Sequence, residues 1–125
     1  MEIKEIKVSK TAGPVVLTVT SNRPLGLGGN VWRYNADKTP DLKAGTFTTD
    51  KPNVQLGAPE ALDGKFIYAK GVVLHFNDNP PVRYEVALSV MQGSTTLLSG
   101  VPEGWTGQIG SSDIGIGFIF QIKVA

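Results

Sequence analysis

Alternation of apolar residues with small or polar residues is the feature that most restricts the fold of this chain. In "VRYEVALSVM" (82–91), the even-numbered positions from Val82 to Val90 carry Val, Tyr or Leu. In "IGIGFIFQIKV" (114–124), the even-numbered positions carry only Ile, Phe and Val. A period of two places successive side chains on opposite faces of a strand, so each segment predicts a strand with one buried face. No segment keeps the 3.6-residue period of an amphipathic helix.

Weaker strand patterns occupy most of the remaining chain. They cover residues 15–20, 31–35, 65–76 and 94–98, with shorter candidates at the N-terminus, near Phe47 and over 53–56. Loops rich in Gly, Pro, Asn and Asp separate them, and such spacing is typical of sandwiches and barrels. The sequence therefore predicts an all-β, two-sheet antiparallel β-sandwich of about eight strands, jelly-roll or Greek-key-like, with a closed β-barrel as the alternative. One domain is expected over residues 1–125.

The loop "NDNPP" (77–81) separates two long alternating runs. Turn residues between two such runs are typical of an antiparallel hairpin, so we predict that the strands on either side of this loop pair with each other.

Composition excludes several classes of function. The chain has 41% hydrophobic residues, 18% charged residues and a net charge of +1 without a basic stripe, so a globular protein that does not bind nucleic acid is expected. The absence of cysteine excludes disulfides and thiolate catalysis. No apolar run approaches the ~20 residues of a membrane span. The N-terminal segment does not resemble a signal peptide, and the composition selects no compartment.

Two glycines interrupt the best strand of the sequence, because Gly115 and Gly117 share the face opposite to its large apolar residues. Glycine weakens a strand and often marks a close approach by something else. We expect this strand to lie centrally in its sheet, since an uncharged apolar edge promotes aggregation. We expect Trp105, from the preceding glycine-rich loop, to cover the two glycines, with Trp32 or Tyr34 as alternatives. A ligand groove or a self-association face is the competing interpretation.

Catalytic and metal-binding patterns are sparse. His75 is the single histidine and lies in a strand pattern, where a structural role is expected. The carboxylates Glu85, Glu103 and Asp113 are candidates for hydrolytic chemistry, but no spacing connects them. No cofactor and no metal site is predicted. The oxygen-rich cluster 77–79 is explained by turn chemistry, although its side chains suit hydrogen bonding to a ligand.

Three functional hypotheses follow. The first is a non-catalytic recognition module for carbohydrate or a protein surface, which uses loop aromatics. The second is a self-assembling structural subunit that forms a homo-oligomer. A small enzyme that uses surface carboxylates ranks third, so no enzymatic activity is expected. The candidate ligand-binding residues are Trp105, Gly115, Gly117, Trp32, Tyr34, Asn77, Asp78 and Asn79.

Overall fold

The computed structural model describes residues 3–22, 26–76 and 80–125. These residues form ten strands and one short 3-10 turn, Pro59–Ala61, and contain no α-helix. The strands are β1 (Lys4–Val8), β2 (Val15–Ser21), β3 (Leu27–Tyr34), β4 (Pro40–Thr48), β5 (Asn53–Gly57), β6 (Phe66–Val73), β7 (Val82–Gln92), β8 (Thr95–Gly100), β9 (Thr106–Ile109) and β10 (Ile114–Val124). Over the described ranges, no helix has the length and apolar character that crossing a membrane requires.

The strands form two sheets. Sheet A has the order β1-β10-β6-β3-β4, and sheet B has the order β5-β2-β7-β8 with β9 also paired to β7. All pairs are antiparallel except β1 with β10. The predicted two-sheet β-sandwich is therefore confirmed, with more strands than expected because short strands such as β9 carry little alternation. The alternative of a closed barrel is wrong, since no described ladder joins an edge strand of one sheet to the other.

The two alternating segments supply facing sides of the core. Val86 and Val90 of β7 in sheet B belong to the same buried cluster as Ile116, Phe120 and Ile122 of β10 in sheet A. Each fully buried side chain of this size contributes roughly 1.5–3 kcal/mol relative to exposure. The predicted inward faces are thus confirmed for most of both strands, except that Val82 at the start of β7 is exposed and Ile114, Phe118 and Val124 of β10 are only partly buried.

The predicted hairpin around residues 77–81 is wrong. Strand β6 lies between β10 and β3 in sheet A, whereas β7 lies between β2 and β8 in sheet B. The connection therefore crosses from one sheet to the other. The same turn residues occur in a hairpin and in a connection between two sheets. Which of the two forms depends on the distant strands against which each apolar face is buried.

Strand β10 is central along only part of its length. β6 pairs with Ile114–Gln121, and β1 pairs with Phe120–Val124. The glycine-containing first half therefore has a described strand partner on one side only. The predicted position of β10 between two partners is confirmed by the sheet order, and the registers of both partner strands overlap at Phe120 and Gln121.

A buried glutamine holds the connection that leads from β1 in sheet A to β2 in sheet B. Gln92 Nε2 donates hydrogen bonds to the carbonyl oxygens of Ser9 at 2.7 Å and Gly13 at 3.0 Å. Its Oε1 accepts one from the Ser9 N–H at 2.9 Å. Gln92 is buried, and these three bonds satisfy its amide, as a buried polar group requires.

Candidate functional site

Four aromatic residues occupy neighbouring strand positions on the outer surface of sheet A. β3 contributes Trp32 and Tyr34, and β6 contributes Phe66 and Tyr68. Trp32 is paired with Tyr68 and Tyr34 with Phe66, so the four form a two-by-two block. Ile67, which separates the two β6 residues, is fully buried in the core, so its neighbours point outward. We call Trp32, Tyr34, Phe66 and Tyr68 the aromatic face.

The members of the aromatic face differ in exposure. Trp32 is 37% exposed, whereas Phe66 is only 8% exposed. Tyr34 and Tyr68 are half-buried. Of the four, Trp32 presents the largest accessible aromatic area.

Two lysines lie against these rings. Lys43 of β4 is the cross-strand neighbour of Trp32, and its Nζ lies 5.8 Å from the centroid of the indole. Lys38, in the turn between β3 and β4, places its Nζ 5.9 Å from the centroid of Phe66. Contacts of this geometry stabilise by about 0.5–1 kcal/mol when exposed, and they orient the ammonium groups toward the aromatic face.

Three shallow depressions border the aromatic face and share its residues. The first, about 450 Å³, lies beside Trp32 and is lined by Gly28, Gly29, Asn30, Lys70, Gly71 and Val72. The second, about 360 Å³, follows β3 and β4 along Trp32, Arg33, Tyr34, Pro40, Asp41, Leu42 and Lys43. The third, about 220 Å³, is enclosed by Tyr34, Lys38, Phe66, Tyr68 and Ile119. Shared residues connect the three depressions into one extended, shallow surface.

The two glycines of β10 lie on the same outer surface, beside Tyr68. A methyl group added at Gly117 would lie 3.1 Å from the Tyr68 hydroxyl oxygen, whereas one added at Gly115 would meet nothing within 4 Å. Tyr68 therefore borders Gly117, and no described side chain covers Gly115. The structure thus brings Trp32, Tyr34 and both glycines to one surface.

Trp105 lies on the other side of β10. It is 1% exposed and belongs to the core, where its ring meets Phe118 edge-on at 6.5 Å between centroids. Its indole Nε1 donates a hydrogen bond to the Gly117 carbonyl at 3.2 Å. That carbonyl belongs to the half of β10 that β1 does not reach. The expectation that Trp105 covers the glycine face is therefore wrong, and its buried ring offers no surface to a ligand.

Backbone pairing explains why Trp105 turns inward. Its carbonyl accepts a hydrogen bond from Val86 N–H at 2.9 Å, and its N–H donates to the Pro102 carbonyl at 3.0 Å. The bond to Val86 attaches the segment between β8 and β9 to β7, and the bond to Pro102 closes a turn within that segment. Trp105 is thereby held over the core. The third candidate cluster, Asn77, Asp78 and Asn79, lies outside the described residues.

The outer surface of sheet B has a different character. Its strands present mainly hydroxyl and amide side chains, including Thr18 bonded to Asn53 at 2.7 Å. Its charged pair, Arg83 and Glu85, lies 3.3 Å apart. Because the two charges oppose each other and no aromatic cluster accompanies them, sheet A carries the better candidate site.

A carboxylate at the end of the aromatic face is already neutralised. Asp41 Oδ2 lies 2.6 Å from Arg33 Nε and 3.2 Å from Lys65 Nζ. The hydrogen bond from the Arg33 guanidinium is the main reason why the pKa of Asp41 is below its ordinary value. Asp41 thus stays ionised and paired, and this network fixes the turn between β3 and β4.

The single histidine has an acidic partner at the end of β10. Asp113 Oδ1 accepts hydrogen bonds from the His75 backbone N–H at 2.9 Å and lies 2.5 Å from its Nδ1. The backbone bond and then the imidazole contact lower the pKa of Asp113. The pair links the segment after β6 to the start of β10. The other candidate carboxylates lie elsewhere, since Glu85 pairs with Arg83 and Glu103 is exposed in the turn before Trp105.

We predict that Asp113 makes stability depend on acid pH. Its folded pKa lies below the unfolded value of 3.8, so its contribution is complete above that value and disappears as pH falls through the folded pKa. In urea unfolding, the wild type should exceed Asp113→Asn in midpoint above the unfolded pKa, and the difference should shrink steadily as pH is lowered through the folded pKa. A difference that does not change with pH would contradict this role.

Sequence reasoning missed half of the aromatic face and its lysines. Alternation in "KFIYAKGV" (65–72) places Phe66, Tyr68 and Lys70 on one face, which is a local signal. Their alignment with Trp32 depends on the register between β3 and β6, which nothing in the local pattern specifies.

No family model, curated protein or solved structure matches this chain. Among residues 3–22, 26–76 and 80–125, no group of three or more His, Cys, Asp or Glu side chains converges to hold a metal ion. Among the described residues, the aromatic face is therefore the strongest candidate for a functional site.

Proposed function

We propose that this protein is a non-catalytic recognition module that binds carbohydrate on the aromatic face. The observation that carries the proposal is the two-by-two block of aromatic residues on the outer surface of sheet A, in which Trp32 is 37% exposed. The apolar faces of sugar rings stack on such side chains. The depressions beside Trp32 and Tyr34 offer the shallow contact that an extended chain of sugars needs.

Polar groups beside the rings suit sugar hydroxyls. Asn30 and Thr46 face each other across β3 and β4 next to Trp32, and the Thr46 hydroxyl donates to Asn30 Oδ1 at 3.1 Å. The Asn30 side-chain amide N–H groups stay available as donors. Because the strands of a sheet fix these positions, a ligand would find them ordered before binding, which lowers the entropic cost of association.

We expect Trp32→Ala to weaken glycan binding at least about tenfold, because one anchoring aromatic commonly dominates a small interface. Calorimetric titration with glycans selected on an array measures this effect in both proteins, and intrinsic fluorescence follows binding in the wild type. The chain has two tryptophans, and Trp105 is 1% exposed, so a ligand on the surface changes the signal of Trp32. In Trp32→Phe the ligand-dependent signal should vanish, while calorimetry still detects binding.

A matched control distinguishes an effect at the aromatic face from the effect of removing any exposed apolar side chain. Val101 is 41% exposed and lies away from the aromatic face, beside Leu98 and Phe118. Val101→Ala should leave glycan affinity unchanged. The proposal fails if no glycan binds the wild type, or if Trp32→Ala and Val101→Ala bind equally well.

The first half of β10 favours a second candidate, a self-assembling subunit. Residues 114–119 are free of charge, and β1 does not pair with them, although the Trp105 indole N–H already occupies the Gly117 carbonyl. An unpaired apolar strand edge is a template for pairing with another chain. Light scattering over a range of concentrations tests this candidate, which a strictly monomeric protein would contradict.

A further inference from the structure

The charges on the outer surface of sheet A are unequal. Apart from Asp41, which is paired with Arg33 and Lys65, the outward strand positions carry Lys7, Lys43, Lys70 and Lys123 against Glu5, a net of +3 from four minus one. The whole chain has a net charge of only +1. The fold therefore concentrates positive charge on the surface that holds the aromatic face.

Two of these lysines flank Trp32. Lys43 is its partner on β4, and Lys70 of β6 is paired with Asn30, two residues before Trp32 on β3. β3 lies between β4 and β6, so the indole separates the two ammonium groups along a diagonal. Strand spacing and rise place the two Cα atoms about 12 Å apart.

Neither lysine is neutralised within the described residues, since no carboxylate forms an ion pair with Lys43 or Lys70. The nearby carboxylate of Asp41 is held by Arg33 and Lys65. Asp37, in the turn beside Lys38, accepts hydrogen bonds from Thr39. Positive charge that has no carboxylate partner, beside a partly exposed aromatic surface, attracts an anionic ligand and repels a cationic one.

We propose that the ligand of the aromatic face is an acidic polysaccharide whose sugars carry carboxylate groups. This inference rests on the proposed function and specifies the class of sugar. One ring stacks on Trp32, and the carboxylates of flanking sugars reach Lys43 and Lys70. The two lysines lie on different strands, and the neighbouring guanidinium of Arg33 is paired with Asp41. Such sparse point charges suit one carboxylate per sugar better than a dense phosphate backbone.

Titration with polygalacturonate and with its fully methyl-esterified form tests the proposal. We expect the free acid to bind more tightly, and its affinity to fall as salt rises, because screening acts on exposed charges. Lys43→Gln and Lys70→Gln should each weaken binding of the acid roughly two- to fivefold, the range for one exposed ion pair. Binding of the ester should not change in either variant.

A charge-matched control removes the same unit of charge from the opposite sheet. Arg83 lies on the outer surface of sheet B and is paired with Glu85, so Arg83→Gln should leave both affinities unchanged. An equal loss in Arg83→Gln would show a net-charge effect and overturn the assignment to Lys43 and Lys70.

The remaining outcomes separate the two proposals. Equal affinity for acid and ester would overturn the charge preference, while the carbohydrate function would stand. Tighter binding of a single-stranded oligonucleotide than of polygalacturonate would overturn the acidic polysaccharide in favour of a nucleic acid. If neither polymer nor any glycan on the array binds, the proposed function itself is overturned.

Discussion

Replacing Trp105 with alanine should lower the free energy of unfolding by about 3–5 kcal/mol, the usual loss for a fully buried aromatic side chain. The indole is 1% exposed and packs edge-on against Phe118. The substitution also removes the donor that satisfies the Gly117 carbonyl. Urea denaturation followed by circular dichroism measures the change, since the variant loses a fluorophore.

Two further variants make the prediction specific. Trp105→Phe keeps much of the ring but not the indole N–H, so we expect a smaller loss of about 1–3 kcal/mol. Trp32→Ala removes a partly exposed ring and should cost only about 1–2 kcal/mol. A loss below about 1 kcal/mol in Trp105→Ala would be typical of an exposed side chain and would contradict the buried position.

Replacing Gly71 with alanine should destabilise the protein by about 3 kcal/mol, the upper part of the range for overpacking a core. A Cβ atom at this position would lie 2.5 Å from the Gly28 carbonyl oxygen and 2.9 Å from Cζ of Phe47. Neither neighbour can move easily, because one is backbone of the adjacent strand and the other is a ring that is fully buried. Gly29, opposite Gly71, is crowded by the same ring.

Gly115→Ala is the matched control, on the neighbouring strand of the same sheet. Nothing lies within 4 Å of a Cβ atom there, and its backbone is not in the left-handed region. We expect no loss, or a gain of up to about 1 kcal/mol, because alanine restricts the unfolded chain more than glycine does. Thermal unfolding of both variants checks the pair, and equal losses would contradict the packing around Gly71.

The strand glycines of this protein differ in how closely other atoms approach them. In the sequence, Gly115 and Gly117 are the glycines that interrupt the clearest strand. In the structure, a Cβ atom at Gly115 would have no neighbour within 4 Å, and one at Gly117 would contact Tyr68. The glycines on which packing depends are Gly29 and Gly71, beneath the ring of Phe47 on the core side. An aromatic ring does lie over strand glycines, but at a pair that is brought together only when β3 and β6 align.

Sequence reasoning predicts part of the candidate site. It selects Trp32 and Tyr34 as ligand-binding residues, and both lie on the outer surface of sheet A, where Trp32 is exposed and Tyr34 half-buried. Trp105 is predicted to be a ligand-binding residue because it lies in a glycine-rich loop, and such loops are usually exposed. Its burial follows from hydrogen bonds to Val86 and Gly117, which lie 19 and 12 residues away along the chain.

The sequence by itself determined the all-β class, the strands with clear alternation and their inward faces, because a period of two is a local property of the chain. Only the tertiary structure decided which strands are neighbours, that β6 and β7 lie in different sheets, and that Trp105 turns inward. It also decided that aromatic rings and unpaired lysines share one surface. Register and sheet order are set by burial against residues that are distant in sequence, and a local pattern does not specify which distant residues those are.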